Sequence, residues 1–200
     1  MKLPQSYYLS DKVVEISRDL LGKYLFTSID GLVTGGYIVE TEAYNGIVDR
    51  ASHAFGDRLT PRTKTMYMPG GIAYVYLCYG IHEMFNIVVS GEGNPLAILI
   101  RAIQPTDGLD IMLQRRHMIS VKPNLTSGPG SVAKALGISR KINGFSLQGD
   151  TIWIEDRGLT FSDESIASVP RVGVSYAAED ALLPYRFYVK GNPYVSKPNR

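Results

Sequence analysis

The sequence predicts an α+β fold in a single domain that covers residues 1–200. Its 200 residues are 44% hydrophobic, which is enough for one core and does not require a second. Helical and strand-like segments do not alternate strictly, which disfavours a doubly wound α/β fold. Strand-like runs around a short connection between residues 72 and 89, followed by a third run, are typical of a hairpin within a sheet.

The first half of the chain predicts one helix, one long strand and one long loop. Ser10 and Asp11 provide an N-cap, apolar residues with helical spacing follow, and Gly22 ends the helix. β-forming residues run from 32 to 44 and are interrupted by Gly35-Gly36. The residues from 45 to 71 are loop-like, and a loop of this length in a compact domain is usually functional or mobile.

The second half predicts the centre of the sheet, two helices and two short strands. Gly137 ends the second of these helices, and the tail of residues 192–200 is expected to be flexible. The predicted central strands are Ile72–Tyr79, Met84–Val89 and Leu96–Arg101, the helices are Thr106–Arg116 and Pro129–Leu136, and the short strands are Thr151–Glu155 and Phe187–Lys190.

Composition excludes several classes of protein. The formal charge is +2, which by itself does not predict a nucleic-acid partner. Cys78 is the only cysteine, so no intramolecular disulfide can form and a reducing compartment is expected. The sequence shows neither a signal peptide nor an apolar run long enough to span a membrane. We therefore expect a soluble cytoplasmic protein without a membrane partner.

Two carboxylates end the first predicted strand, in the sequence VETEAYNG. Alternate residues of a strand share a face, so Glu40, Glu42 and Tyr44 are expected on one surface. One interpretation is that both acids are solvated on an open face, because carboxylates are rarely buried. The other is a carboxylate in a cleft that acts as a general base, with Tyr44 as a wall of the cleft.

Tyrosines in the next strand suggest a flat ligand. Tyr74 and Tyr76 share a face, whereas Tyr79 precedes Gly80 and is expected at the tip of a hairpin. These tyrosines are either ordinary core residues or part of a site in which Tyr44 and Tyr76 stack on a ring. In that second interpretation Tyr79 is a wedge, a device that recurs in DNA recognition.

Three further polar residues are candidates for the same site, and no metal site is predicted. His53 is either solvated in the loop or a hydrogen-bond donor to a ligand or phosphate. Asn86 and Arg101 interrupt strongly apolar strands and need buried partners or a pocket. The segment beginning His82-Glu83 has Asn86 where a second zinc-binding histidine would be needed, so we expect no metal.

An ordered series of motifs resembles the alkyladenine (3-methyladenine) DNA glycosylases, in a form similar to bacterial members. The resemblance runs from about residue 39 almost to the end of the chain. The motifs are VETEAY, SHA, TPR with MYMPG, AYVYLCYG followed by FN, LIRA-x-x-P, SGPG, and RVGVSYA with RFYVKGNPYVS.

The resemblance implies a single mixed domain with a central, largely antiparallel curved sheet, flanking helices and a protruding β-hairpin. It also implies a monofunctional hydrolase that flips an alkylated or deaminated purine out of double-stranded DNA and cleaves its N-glycosidic bond without a cofactor. The lesions implied are 3-methyladenine, 7-methylguanine and hypoxanthine. A monomer is expected.

The resemblance assigns roles to individual residues. Glu42 is implied as the general base that activates water, while Arg101 and the backbone carbonyl of Val172 hold the same water. Tyr44, His53 and Tyr76 are implied to enclose the flipped base, Asn86 to screen its edge, and Tyr79 to fill the gap in the DNA stack. From the charged loop we expect DNA-backbone contacts by Arg50, Arg58, Arg62 and Lys64, although a solvated face explains these residues equally well.

Two other functions are compatible with these residues. A nucleic-acid-binding module would keep the fold and bind a lesion without releasing a base. A hydrolase of free nucleosides would use the same carboxylate chemistry, but it would not need an exposed wedge. The preferred lesion, and any acid that protonates a neutral departing base, are not identified by the sequence.

Overall fold

The computed structural model describes residues 1–197, which form an eight-stranded sheet and three α-helices. The strands are β1 Tyr24–Ile29, β2 Leu32–Tyr44, β3 Ile72–Cys78, β4 His82–Val89, β5 Leu96–Asp107, β6 Ile152–Glu155, β7 Ile166–Val169 and β8 Arg186–Val189. The helices are α1 Val13–Asp19, α2 Leu109–Arg116 and α3 Pro129–Leu136. No helix among the described residues is long and apolar enough to cross a membrane.

The sheet is antiparallel throughout and forks at β2. Its main order is β3-β4-β5-β2-β1-β6. The first half of β2 pairs with β1, whereas Glu40, Thr41 and Glu42 pair with β8, which in turn pairs with β7. The predicted α+β class and antiparallel sheet are confirmed. The prediction that residues 72–101 form the sheet's centre is wrong for β3, which lies at an edge, because β2 pairs along the far side of β5.

Strands β3, β4 and β5 bury side chains on both faces of the sheet. On one face Val75, Phe85 and Ile98 join the main core together with residues of all three helices. On the other face Tyr74 and Ala97 form a second cluster with residues of the loop 45–71. Because strand side chains alternate between faces, the polar side chains that share a face with this second cluster lie under the loop and not under the helices.

Two register shifts distort the pairing of β2 with β5 beside the predicted site. Ile38 pairs with Ile103 and Glu40 with Ala102, and then Thr41 pairs with Ile100. Arg101 therefore has no Cα partner on β2. A bulge of this kind bends a strand and re-aims a side chain, and the Arg101 side chain reaches the Glu40 carboxylate.

Several predicted boundaries differ from the structure for physical reasons. The segment 106–116 is not all helix, because β5 continues to Asp107 and Gly108, with φ 68°, turns the chain into α2. A Cβ at Gly108 would lie 2.3 Å from the Val33 carbonyl oxygen, so a side chain does not fit there. Strands β1 and β7 were not predicted; β1 mixes polar and apolar residues, which weakens its strand pattern.

The glycine pair suggested a break in the strand pattern, but β2 continues through Gly35 and Gly36. A Cβ at Gly35 would lie 2.2 Å from the Phe26 ring, and one at Gly36 would lie 2.2 Å from the Gln104 carbonyl oxygen. The two glycines thus allow neighbouring strands to approach closely. Within the segment 192–200, which was predicted to be flexible, Ser196 is buried and donates its N–H to Glu40; residues 198–200 lie outside the described residues, and the flexibility of the tail stays a prediction.

Candidate active site

Both carboxylates at the end of β2 are buried, so the interpretation of two solvated acids is wrong. The side chains of Glu40 and Glu42 have no exposed surface, and Arg101 contacts both. Their shared contact confirms that the two acids lie on one face of the strand. Buried charges need compensating partners, and the partners of the two acids differ.

Glu42 is held by three donors. Its Oε1 accepts the Val172 N–H at 2.7 Å and lies 3.4 Å from Arg101 Nη1. Its Oε2 accepts the Tyr44 hydroxyl at 2.9 Å. A carboxylate offers about four acceptor positions, so this arrangement leaves room for a further donor such as water. The contact made by Val172 is through its N–H; the predicted role of its carbonyl oxygen stays a prediction.

Glu40 is held in a closed network on the same face. Its Oε1 accepts from Arg101 Nε at 2.9 Å, from Arg186 Nε at 2.7 Å and from the Ser196 hydroxyl at 2.8 Å. Its Oε2 accepts the Ser196 N–H at 2.6 Å. This carboxylate joins β2, β5, β8 and the C-terminal segment.

An aromatic pocket adjoins Glu42 on the loop-covered face of the sheet. Tyr44 connects the two, because its hydroxyl bonds Glu42 and its ring lines the pocket. Burial, and then the Glu42 charge, raise the pKa of Tyr44 well above its usual value, so its hydroxyl keeps its proton. The pocket is lined by Tyr44, Ala51, His53, Met66, Tyr74, Tyr76, Asn86, Ala97 and Tyr176.

The structure brings together all four residues that were predicted to contact a base. The His53 and Tyr76 rings meet edge to face at 4.6 Å, and the Tyr74 and Tyr76 rings lie 5.4 Å apart. Asn86 is buried, and its Nδ2 donates to the Tyr74 carbonyl oxygen at 3.3 Å. Tyr74 also faces the pocket; burial raises the pKa of its hydroxyl to about 12.

His53 is held neutral, with both ring nitrogens engaged. Arg62 Nη2 lies 3.3 Å from His53 Nε2, and a guanidinium can only donate. Nε2 therefore accepts, and Nδ1 carries the proton and donates to the Tyr74 hydroxyl at 2.9 Å. Burial, with the charges of Arg62 and Arg58, lowers the pKa of His53 to about 4. A donor role toward a ligand requires Arg62 to move and the ring to change its tautomer.

We expect His53 to make the fold less stable as the pH falls from about 6.5 to about 4. Its pKa is near 6.5 in an unfolded chain and about 4 in the fold, so in this window the unfolded state binds more protons. The free energy of unfolding falls by at most about 3 kcal/mol in this window. The loss is smaller than this maximum because part of the ring is exposed and solvent screens its charge. Urea unfolding at pH 7 and pH 4.5 measures it, and His53→Gln is expected to flatten the difference. An equal pH dependence in both proteins contradicts this assignment.

The β3–β4 hairpin carries Tyr79 at its tip, as predicted. Tyr79 is 90% exposed, and Tyr79 and Gly80 both have positive φ, 50° and 75°. The Ile81 N–H donates to the Cys78 carbonyl oxygen at 3.1 Å, which closes a turn that matches the twist of a hairpin. A tyrosine in this conformation costs about 1–2 kcal/mol. Ile81, 73% exposed, adds a second apolar side chain that the sequence analysis did not single out.

The four predicted DNA-backbone residues occupy different surroundings. Arg50 Nη1 lies 3.1 Å from Glu179 Oε2, whereas Arg62 contacts the pocket. Arg58 and Lys64 are exposed on the covering loop, and the Arg58 charge contributes to the lowered pKa of His53. Contact of these residues with a phosphate backbone remains a prediction.

One buried ion pair that fixes the pocket was missed. Arg171 Nη2 donates to Asp49 Oδ1 at 2.8 Å, and Nη1 donates to the Ala43 carbonyl oxygen at 2.9 Å. The guanidinium carbon also lies 4.9 Å from the centre of the Tyr44 ring. Arg171 therefore ties Tyr44 to the covering loop. No spacing pattern connects two residues that are 122 positions apart in the chain.

Tyr176 is a further pocket residue that was missed. It lies in a 3₁₀ segment, Ser175–Leu182, and its hydroxyl donates to the Ala51 carbonyl oxygen at 3.2 Å. Its ring lines the pocket but is 68% exposed. The motif RVGVSYA contains it, but only the folded chain brings the motif to the pocket.

Comparison with known proteins gives one consistent result. A family model described as methylpurine-DNA glycosylase matches residues 7–193. A protein of Bacillus cereus strain G9842 is 44% identical over 206 residues, covering 98% of this chain and all of the relative. A protein of Chlamydia felis strain Fe/C-56 is 46% identical over 187 residues, covering 92% and 94%. Both carry names that make them candidate 3-methyladenine DNA glycosylases.

Proposed function

Because this chain belongs to the methylpurine-DNA glycosylase family, we propose that it flips alkylated or deaminated purines out of double-stranded DNA and hydrolyses their N-glycosidic bonds. The observation that carries the proposal is Tyr44, whose hydroxyl bonds the buried Glu42 and whose ring lines the aromatic pocket. A buried carboxylate next to an aromatic pocket supports a reaction at the sugar of a base held in that pocket. The implied lesions are 3-methyladenine, 7-methylguanine and hypoxanthine.

In the proposed reaction Glu42 activates water. Breaking the bond between C1′ and the base nitrogen builds positive charge on the sugar, and a carboxylate both takes the proton of the attacking water and favours that charge. Arg101 Nη1 and the Val172 backbone, which already adjoin Glu42, orient the water. A positioned base of this kind is typically worth about 10² to 10⁴ in rate.

The pocket suits a flat, extruded ring. Tyr44, Tyr76 and His53 offer aromatic surfaces, and stacking against electron-poor alkylated purines is favourable. Asn86 places an amide in the same pocket, where it can test the edge of a purine by hydrogen bonding. Extrusion costs a few kcal/mol, less for a poorly paired lesion, and this lower cost contributes to selectivity.

Base release under single-turnover conditions tests the proposal. DNA duplexes that each carry 3-methyladenine, 7-methylguanine or hypoxanthine are incubated with excess enzyme and a chelator, and free base is separated and counted. We expect release from duplex DNA, an abasic product, and little release from the matching free nucleosides. Binding of lesion DNA without any release supports the binding-module alternative. Equal release from free nucleosides supports the nucleoside hydrolase.

Tyr79→Ala is expected to lower base release from duplex DNA by about 10- to 100-fold, because the wedge that occupies the vacated stack is worth a few kcal/mol. Tyr79→Phe keeps the ring and is expected to retain most of the rate. The fluorescence of 2-aminopurine placed beside the lesion reports extrusion separately from chemistry. Unchanged extrusion in Tyr79→Ala contradicts the role of a wedge.

A further inference from the structure

Arg62, an exposed residue of the covering loop, places a positive charge beside the aromatic pocket. Its guanidinium carbon lies 4.8 Å from the centre of the Tyr76 ring, and its Nη2 lies 3.3 Å from His53 Nε2. Both contacted residues line the pocket. A guanidinium stays charged throughout the physiological pH range, and the neutral His53 beside it adds no second charge.

Glu42 and Arg62 carry opposite charges and contact different residues around the pocket. The Glu42 carboxylate contacts Tyr44, Val172 and Arg101. The Arg62 guanidinium contacts Tyr76 and His53 instead. If Glu42 faces the sugar, as proposed above, Arg62 stands beside Tyr76 and His53, the residues proposed to hold the base. The resulting field favours movement of electrons from the sugar toward the base.

We propose that Arg62 is a specificity-determining residue that favours neutral damaged purines over purines that already carry a positive charge. This inference rests on the proposed function. When the bond from C1′ to the base breaks, its electron pair stays on the base, the water oxygen bonds to C1′, and the water proton passes to Glu42. A neutral purine leaves as an anion, which then takes a proton from solvent, whereas a cationic purine leaves as a neutral molecule.

Bond breaking moves an electron pair onto the base in both classes, so a positive charge favours that step for both. The two classes differ in the charge of the base that enters the pocket. Arg62 repels a cationic purine such as 7-methylguanine before the bond breaks, so that this base enters less readily, whereas a neutral purine such as hypoxanthine is not repelled. This repulsion raises the ratio of neutral to cationic release. A contact with a DNA phosphate, the role expected for Arg62 from sequence, changes release of both lesions by the same factor.

Single-turnover release of hypoxanthine and of 7-methylguanine from otherwise identical duplexes tests the inference. Arg62→Met removes the charge but keeps a long side chain. We expect the ratio of hypoxanthine to 7-methylguanine release to fall by about fivefold or more, since charges a few ångströms apart interact strongly even when partly screened. Arg62→Lys retains the charge. We expect it to lower the logarithm of this ratio by no more than half.

Arg58→Met is the matched control. Arg58 belongs to the same loop, but its side chain makes no hydrogen bond or ring contact within residues 1–197. We expect the ratio to change by at most about twofold in this variant. Titration of His53 by NMR gives a second measurement: its pKa is expected to rise in Arg62→Met and to stay below the usual value, because burial persists.

The outcomes separate this inference from the proposed function. If the wild type releases neither base, the proposed function fails. If the wild type releases both and Arg62→Met lowers them by the same factor, or leaves both unchanged, Arg62 does not determine specificity. If Arg62→Lys loses the ratio as fully as Arg62→Met, charge is not the cause and the inference is also overturned.

Discussion

Glu42→Gln is expected to lower the single-turnover rate of base release by at least about a hundredfold, while leaving the fold intact. The amide oxygen can still accept the Val172 N–H, and the amide nitrogen can donate to the Tyr44 hydroxyl, which is free to rotate. The substitution thus preserves the contacts of the side chain and removes its ability to take a proton. The measurement is the rate of base release at saturating enzyme.

Two controls separate loss of chemistry from loss of structure. Lesion-containing duplex is expected to bind Glu42→Gln about as tightly as wild type, since the amide keeps the contacts with Tyr44 and Val172 and the residues that line the pocket are unchanged. The free energy of unfolding is expected to change by less than about 1.5 kcal/mol, because the hydrogen bonds are replaced. A Glu42→Gln protein that binds the lesion and releases the base at the wild-type rate would falsify the mechanism.

The elements that the sequence predicted best are those whose own residues determine them. Helix α3 spans Pro129–Leu136 as predicted, because a proline begins it and Gly137 ends it. The exposure of Tyr79 followed from Tyr79-Gly80 at a strand end, which requires a turn. The shared face of Glu42 and Tyr44 followed from strand periodicity alone. Each of these features is local in the chain.

The features that the sequence did not predict depend on contacts between distant segments. The pattern Glu-x-Glu alone favoured solvated acids, whereas Arg186 and Ser196 come from segments about 150 residues further along the chain and bury Glu40. Arg101 was expected at the water, but the register shift in β5 also aims its Nε at Glu40. Family membership followed from the order of many motifs, which no single local pattern provides.

Glu40→Gln is expected to have the opposite profile to Glu42→Gln: a large loss of stability with a smaller loss of activity. The buried guanidinium groups of Arg101 and Arg186 both donate to Glu40 Oε1. An amide oxygen in that position places the amide nitrogen against the Ser196 N–H, which is also a donor. The reversed amide points its N–H groups at the guanidinium groups. Either orientation leaves a buried donor unsatisfied.

The expected cost is about 3–5 kcal/mol in the free energy of unfolding, since one member of a buried ion network is neutralised and the others stay charged. For a domain of this length that corresponds to a fall in Tm of roughly 6–20 °C; thermal unfolding measures the fall in Tm, and urea unfolding measures the free energy. Below the transition, the rate of base release is expected to stay within about tenfold of wild type, because Glu42 keeps Tyr44 and Val172.

A double-mutant cycle identifies the cause of that cost. Arg186→Met alone leaves Glu40 with Arg101 and Ser196 and is expected to destabilise the fold by a similar amount. The double variant Glu40→Gln with Arg186→Met removes both charges of the pair, whereas each single variant leaves one charge without the other. The combined loss of stability should therefore be smaller than the sum of the single losses by at least about 1 kcal/mol. Strict additivity would mean that Glu40 and Arg186 do not stabilise each other. In that case the burial of Glu40, so close to Glu42, would need an explanation in the reaction rather than in the fold.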